Sequence, residues 1–263
     1  MFSSEISEYE RLRWEYQKHI VAPMSKRDYF DYSEVIFSAH SCAIEGNSFS
    51  VNDTRELKEE GLGMIPHDKS LFEAFEILDH FCAFEYVIQQ ADAKVNLTED
   101  LLHETNRLVT QHTLTYRVPD AVPGEYTTCD MVAVETVFGD HEVLISRVPQ
   151  LLEATEGALQ QGKHPMEVAA RFHGFFEYLH PFRDGNGRTG RLLVNFILQR
   201  AGYPLVTVRT EQKETYLTAL RYIRQEGTDE HLVRFFFSSA ISEMQETLNQ
   251  KSKNSSRFSS FLF

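Results

Sequence analysis

Between Phe172 and Arg191 the chain reads FHGFFEYLHPFRDGNGRTGR, and its polar residues suit one kind of work, gripping phosphates while a proton moves. The first half has helical texture up to His180, because Pro181 disfavours helical geometry in the residue before it. The second half carries Gly185, Gly187 and Gly190 and runs into LLVNFILQR, a strong helix. His180–Gly187 therefore reads as a helix–loop–helix elbow. Its glycines let backbone N–H groups approach an anion closely. The following helix presents free N–H groups and a positive dipole end, and Asn186 adds a side-chain donor. Arg188 and Arg191 are three apart and project from one side of the first turn. Their guanidinium forks match phosphate oxygens. Asp184 suits a hard cation such as Mg²⁺, which needs only one or two carboxylates when it bridges phosphates. His180, across the loop, has an ordinary pKa suited to proton abstraction near neutrality. The Walker pattern G-x-x-x-x-G-K-[ST] is absent, so this is not a P-loop.

The elements that must position these residues are mostly helical. Residues 5–20, 27–45, 54–60 and 69–91 carry helical patterns, and Gly46-Asn47 offers a left-handed stop for the second. Ser50-Val51-Asn52-Asp53 supplies capping groups for the third, and Thr98-Glu99-Asp100 opens a further helix. The texture changes between Arg117 and Arg147, where MVAVETV and HEVLI flank Phe138-Gly139-Asp140 and read as the two arms of a β-hairpin. Helical texture returns from Val148 to about Asn249, and the tail KSKNSSRFSSFLF reads as poorly ordered. We expect a mainly α fold of about eight or more helices with one hairpin.

Composition narrows the function classes. The chain has 263 residues and a net charge of −13, from 39 acidic against 26 basic side chains. That balance argues against wide phosphate-backbone binding and hence against a nucleic-acid partner. Cys42, Cys82 and Cys129 are odd in number and far apart, which fits a reducing cytosol better than a disulfide framework. There is neither an apolar leader nor a run of about 18 apolar residues, so we expect a cytoplasmic protein with no membrane partner.

HPFRDGNGRTGR resembles the Fic motif, H-x-F-x-[D/E]-G-N-G-R-x-x-R, at all eight of its fixed positions. LTEDLLHETNRLV, VPGEYTTCDMVAVETVFGDHEVLI and TYLTALRYIRQEG resemble the family's helix before the flap, its hairpin flap and its Tyr-x-x-Ala-Leu helix. The resemblance implies the Fic fold, with the flap next to the active site. It also implies transfer of AMP from ATP, with Mg²⁺, onto a Tyr, Thr or Ser hydroxyl of a target protein. His180 would then be the base and Asp184 the Mg²⁺ ligand. Gly185, Asn186 and Gly187 would form the anion hole, Arg188 and Arg191 would hold the outer phosphates, and Phe182 would anchor the loop. Relatives that transfer phosphate instead, the Doc toxins, put Lys in place of an anion-hole glycine; both glycines are present here. Alternative readings are removal of AMP at the same site and a catalytically silent nucleotide-binding module.

Residues 41–46, Ser-Cys-Ala-Ile-Glu-Gly, resemble the family's inhibitory motif [S/T]-x-x-x-E-[G/N], placed before the core as in class II members. Ser41 and Glu45 share a helix face. The resemblance implies that Glu45 pairs with Arg191 in a bidentate contact and so competes with the γ-phosphate of ATP. The 131–145 hairpin is a candidate dock for an extended target segment by strand addition, and dimerisation and self-modification are further candidate associations. The chain departs from the family at Gly124-Glu125-Tyr126-Thr127, which lacks an Arg after the Tyr. An Asn after Tyr-x-x-Ala-Leu is also missing; Arg224 lies near its position, and Asn195 is a candidate substitute. His173, Glu177 and His180 are spaced like a metal-binding face, but a zinc site usually needs a further ligand shell, so His173 and Glu177 read as ordinary helix residues. We divide the chain into a helical extension (1–34), a Fic domain (35–245) with inhibitory helix (35–46), flap (124–147) and motif (180–191), and a tail (246–263). Too few residues lie outside that domain for a separate DNA-binding unit.

Overall fold

A computed structural model of the chain describes residues 1–133, 136–137 and 139–261. Its architecture is the mainly α bundle expected: twelve α-helices and one two-stranded hairpin among the described residues. Six of the twelve helices start where a side chain takes up a free backbone N–H. Ser25 accepts from Asp28 N at the start of α2 (Lys26–Ile44), after α1 (Ser3–Tyr16) and a π-helical turn. Ser50–Asp53 and Ser70–Glu73 form reciprocal capping boxes for α3 (Val51–Glu60) and α4 (Leu71–Asp92). Thr98 caps α5 (Glu99–Thr110), which is followed by the short α6 (Leu114–Arg117).

The flap region departs from expectation. The hairpin pairs β1 (Val132–Ala133) with β2 (Thr136–Val137), antiparallel, with Val132 opposite Val137. Both strands thus come from MVAVETV. HEVLI, expected as the second arm, is instead the helix α7 (His141–Ile145), because the Asp140 side chain accepts from Glu142 N and Val143 N and nucleates a turn. Phe138, expected in the hairpin turn, lies outside the described residues, as do Val134 and Glu135. The chain continues through α8 (Val148–Gln160), α9 (Pro165–Leu179), α10 (Asn186–Arg200), α11 (Lys213–Glu226) and α12 (Glu230–Phe261). Neither proposed boundary is a break in the chain: residue 34 lies inside α2, and α12 carries helical backbone through 246–261, a tail that reads in sequence as poorly ordered.

The core is organised around α10, which packs against α9, α4, α5 and α2. Leu192, Leu193, Phe196, Ile197 and Leu198 are fully buried, so α10 is apolar almost all round. Glycine permits the tightest of these approaches. A Cβ at Gly190 would lie 2.6 Å from His173 Nδ1 and 3.0 Å from the Phe176 ring, both fully buried on α9. Gly190→Ala is therefore expected to lower stability by about 1–3 kcal/mol through overpacking, seen as a lower midpoint in urea unfolding. An unchanged midpoint would mean that α9 and α10 can separate freely. None of the described helices is long and apolar enough to cross a membrane.

Candidate active site

The backbone of the elbow sets the site. α9 ends at Leu179, and its cap, His180, adopts the left-handed conformation at φ 48°, ψ 56°. A residue other than glycine there is uncommon and strained. It turns the chain sharply into the loop, and the next anchor, Phe182, is fully buried. Asn186 secures the loop. Its Oδ1 accepts from Phe182 N at 3.0 Å and its Nδ2 donates to Phe182 O at 2.7 Å. The amide thus helps to close the loop, and its Nδ2 carries a second hydrogen besides the one given to Phe182 O. What Asn186 and its neighbours offer an anion is backbone N–H at the start of α10. Gly185, at φ +76°, caps that helix, and a Cβ there would meet Thr110 Cγ2 at 2.6 Å. The flap is stitched to the same loop, with Tyr126 bridging Phe182 and Thr127 N donating to Pro181 O at 2.8 Å. Thr127, Met131, Leu144, Leu179 and His180 line a small cleft between flap and elbow.

The charged groups are held unequally. Arg188 is 1% exposed, and its Nε and Nη1 have no hydrogen-bond partner among the described residues. Its nearest carboxylates are Glu76 at 3.5 Å and Asp184 at 3.6 Å, both beyond good hydrogen-bond reach. Buried N–H groups left without acceptors are costly, and they mark a place shaped for an acceptor-rich ligand. Asp184 lies nearer the surface. Its Oδ1 accepts from Gly185 N, and its Oδ2 accepts from Arg117 Nη1 at 3.1 Å. Arg117 also donates to the buried Glu76 at 2.9 Å. Neither Arg117 nor Glu76 is visible as a site residue in the sequence. They belong to α6 and α4, and only the fold brings them to the elbow.

Arg191 is 2% exposed and fully engaged. Nε donates to Ser41 Oγ at 3.1 Å, and Nη2 donates both to Ser41 O and to Glu45 Oε1 at 2.8 Å. Nη1 reaches the Tyr216 hydroxyl at 3.4 Å, and that hydroxyl also pairs with His173 Nε2 at 2.6 Å. The Glu45 contact is single rather than bidentate, because Ser41 takes Nε and shares Nη2. Burial opposes charge on Glu45, but the Arg191 guanidinium holds its carboxyl below the usual range. The Glu45 carboxylate also lies over the first turn of α10: a Cβ on Gly187 would be 2.2 Å from its Oε1. An anionic group already stands at the anion-binding end of the helix.

His180 is pushed down to about 4, chiefly by burial and next by the Arg224 charge, so it is neutral and able to accept a proton at pH 7. Beside it stands Glu177, whose carboxyl burial and the Glu45 charge push up to about 7. Asn195, a candidate substitute for the missing Asn, is not in the site: its amide pairs with both N and O of Val206 and fixes the segment after α10. Arg224 lies behind the site, donating to the backbone carbonyl of Glu177.

A glycine-rich elbow with two buried arginines on an α bundle frames the site, and comparison with known proteins defines the family. The Fic/DOC family model matches residues 96–198. The chain is 34% identical over 201 residues to a protein of Culex quinquefasciatus named Protein adenylyltransferase Fic, a match covering 74% of this chain and 38% of the relative. The fold is shared with Fic-1 (residues 134–508) of C. elegans, at TM-score 0.76 and 25% identity over 94% of this chain and 71% of that one. It is also shared with a Fic domain containing signaling protein of Bacteroides thetaiotaomicron, at TM-score 0.76 and 24% identity over 93% of this chain and 94% of that one. The chain belongs to the Fic family. It spans 38% of the length of the curated Culex relative.

Proposed function

We propose that this chain transfers AMP from ATP to a hydroxyl of a target protein and that Glu45 restrains the transfer. The observation that carries this reading is the place of the Glu45 carboxylate, on Arg191 and over Gly187, where an outer phosphate would otherwise sit. In the released site, ATP phosphates would lie on the N–H groups of Gly185–Gly187, on the unpartnered N–H groups of Arg188 and on Arg191. His180 would take the proton from the target hydroxyl, whose oxygen attacks the α-phosphorus as the bond to pyrophosphate breaks. The protein's contribution is positioning and charge stabilisation.

Asp184 suits Mg²⁺. It is a partly exposed carboxylate at the edge of the phosphate nest, and it already pairs with a cation, the Arg117 guanidinium. Bound there, Mg²⁺ supplies charge neutralisation on the phosphate oxygens. Residues 35–245 would form the catalytic unit, with α2 as its inhibitory helix and the flap as the dock for an extended target segment. The free state of Cys42, Cys82 and Cys129 supports a reducing compartment such as the cytoplasm.

The test is incubation of the Glu45→Gly protein with ATP, Mg²⁺ and cell lysate, using label in the α- or the γ-phosphate. Protein bands labelled from α-labelled ATP alone are expected, and a band at the chain's own mass would report self-modification. Label from the γ-position would mean phosphate transfer and would overturn the proposal. No label from either, with ATP still bound, would leave removal of AMP or a silent module.

A further inference from the structure

Glu177 is a buried carboxyl that the reaction above does not use. It lies one turn before His180 on α9, and its Oε2 is 3.8 Å from His180 Nδ1. Its Oε1 is buried without a hydrogen-bond partner among the described residues. A carboxyl in that condition is costly to keep, and residues of this kind concentrate where chemistry is done. Its surroundings are specific. Glu45 acts on it from α2, Arg191 from α10, and Arg224 and Tyr216 from α11, with His180 on its own helix. The His180 ring also makes a hydrogen bond to the backbone of Glu177. With Nδ1 on the Glu177 side of the ring, 3.8 Å from Oε2, Nε2 is the nitrogen left to act as the base.

We propose that Glu177 is a positioning residue for His180, whose carboxylate stands behind the imidazole and stabilises the imidazolium formed when Nε2 takes the proton of the target hydroxyl. This rests on the adenylyltransferase reading. The hydroxyl proton moves to Nε2, the new oxygen–phosphorus bond forms at the α-phosphorus, and pyrophosphate leaves with the electrons of the broken bond. Glu177 gains and loses no atom; its charge offsets the one that His180 acquires. A buried imidazole without such a partner is a poor proton acceptor, since burial penalises its charged form.

The sign of the pH effect follows. Between about 4 and about 7, Glu177 and His180 hold one proton between them, and above that range both are deprotonated. His180 is the strongest base once Glu177 is ionised. The negative charge of Glu45 raises the Glu177 carboxyl, so its removal lowers the pH at which that state is reached.

The experiment follows the ring nitrogens of His180 by NMR in the full-length chain labelled with ¹⁵N-histidine, its signals assigned by their loss in His180→Ala. In the wild type a step in the His180 shifts is expected near pH 7, from ionisation of the neighbouring carboxyl. In Glu177→Gln the step should vanish, and in Glu177→Asp it should persist. In the Glu45→Gly background, adding Glu177→Gln should lower kcat roughly tenfold, for about one unit of lost basicity. It should also flatten the rise of rate with pH and leave KM for ATP unchanged. Glu177→Gln removes a buried charge at an unpartnered atom, so the variant should fold, checked by its unfolding midpoint. Identical His180 titrations in wild type and folded Glu177→Gln would overturn the proposal. Because the NMR step needs no AMP transfer, its presence with no activity in any protein would defeat the adenylyltransferase reading and not the Glu177–His180 pairing.

Discussion

Glu45→Gly is expected to raise transfer from ATP by at least roughly tenfold. Arg191 is held by Ser41 Oγ, Ser41 O, Tyr216 and Glu45. Only the last carries a negative charge, and only the last lies where phosphate would compete. Removing it leaves the guanidinium buried, oriented by three neutral partners and short of an anion. A charge-assisted hydrogen bond contributes about 1.5–3 kcal/mol in a dry setting. The Glu45 side chain is 36% exposed, so water screens the pair and the lower part of that range applies. At about 1.4 kcal/mol per tenfold, this gives a tenfold gain for a phosphate that no longer has to displace a carboxylate. The helix should tolerate the change, because Glu45 is the last residue of its turn and Gly46 already ends α2. The measurement is the initial rate of α-label transfer at equal protein concentration. Equal rates in wild type and variant would show that Glu45 is no brake.

His180→Ala in the Glu45→Gly protein should remove that gain and more, with a loss of about 100- to 10,000-fold, the usual contribution of a positioned general base. ATP affinity should be nearly unchanged, since no phosphate-holding N–H group comes from the His180 side chain. The separation of these effects is the informative part. A drop in rate with constant ATP affinity, read by calorimetric titration, assigns His180 to proton transfer. A parallel loss of binding would assign it to shaping the loop, because it is His180 that adopts the strained left-handed turn at φ 48°. Alanine at that position also carries the strain of positive φ. His180→Asn, which tolerates the conformation better, is the control that keeps the loop and loses the base.

Much of this molecule was determined by local sequence. Helix starts were legible because Ser50–Asp53 and Thr98 satisfy backbone groups within three residues of themselves. The elbow was legible because Pro181 restricts the residue before it and Gly185 readily takes the left-handed turn that caps α10. Spacing and resemblance also gathered Asp184, Arg188, Arg191 and Glu45 as candidates. The second arm of the flap differs from expectation, because HEVLI carries Val and Ile as strands do while one capping side chain, Asp140, commits it to helix.

What the tertiary structure decided is how each polar group is used. Whether an amide turns to its own loop depends on partners that packing supplies, and Asn186 and Asn195 each pair with both N and O of one backbone residue. Whether an arginine is solvated or orphaned depends on burial, and only the fold leaves Nε and Nη1 of Arg188 buried without a hydrogen-bond partner among the described residues. Glu177 looked like any helix residue because its one-turn spacing to His180 is common. Its significance comes from the convergence of α2, α10 and α11 around it, which removes water from a carboxyl and leaves a histidine as its neighbour. Periodicity records which face of a helix is buried, whereas the electrostatic environment of a buried group is set by residues distant in the chain.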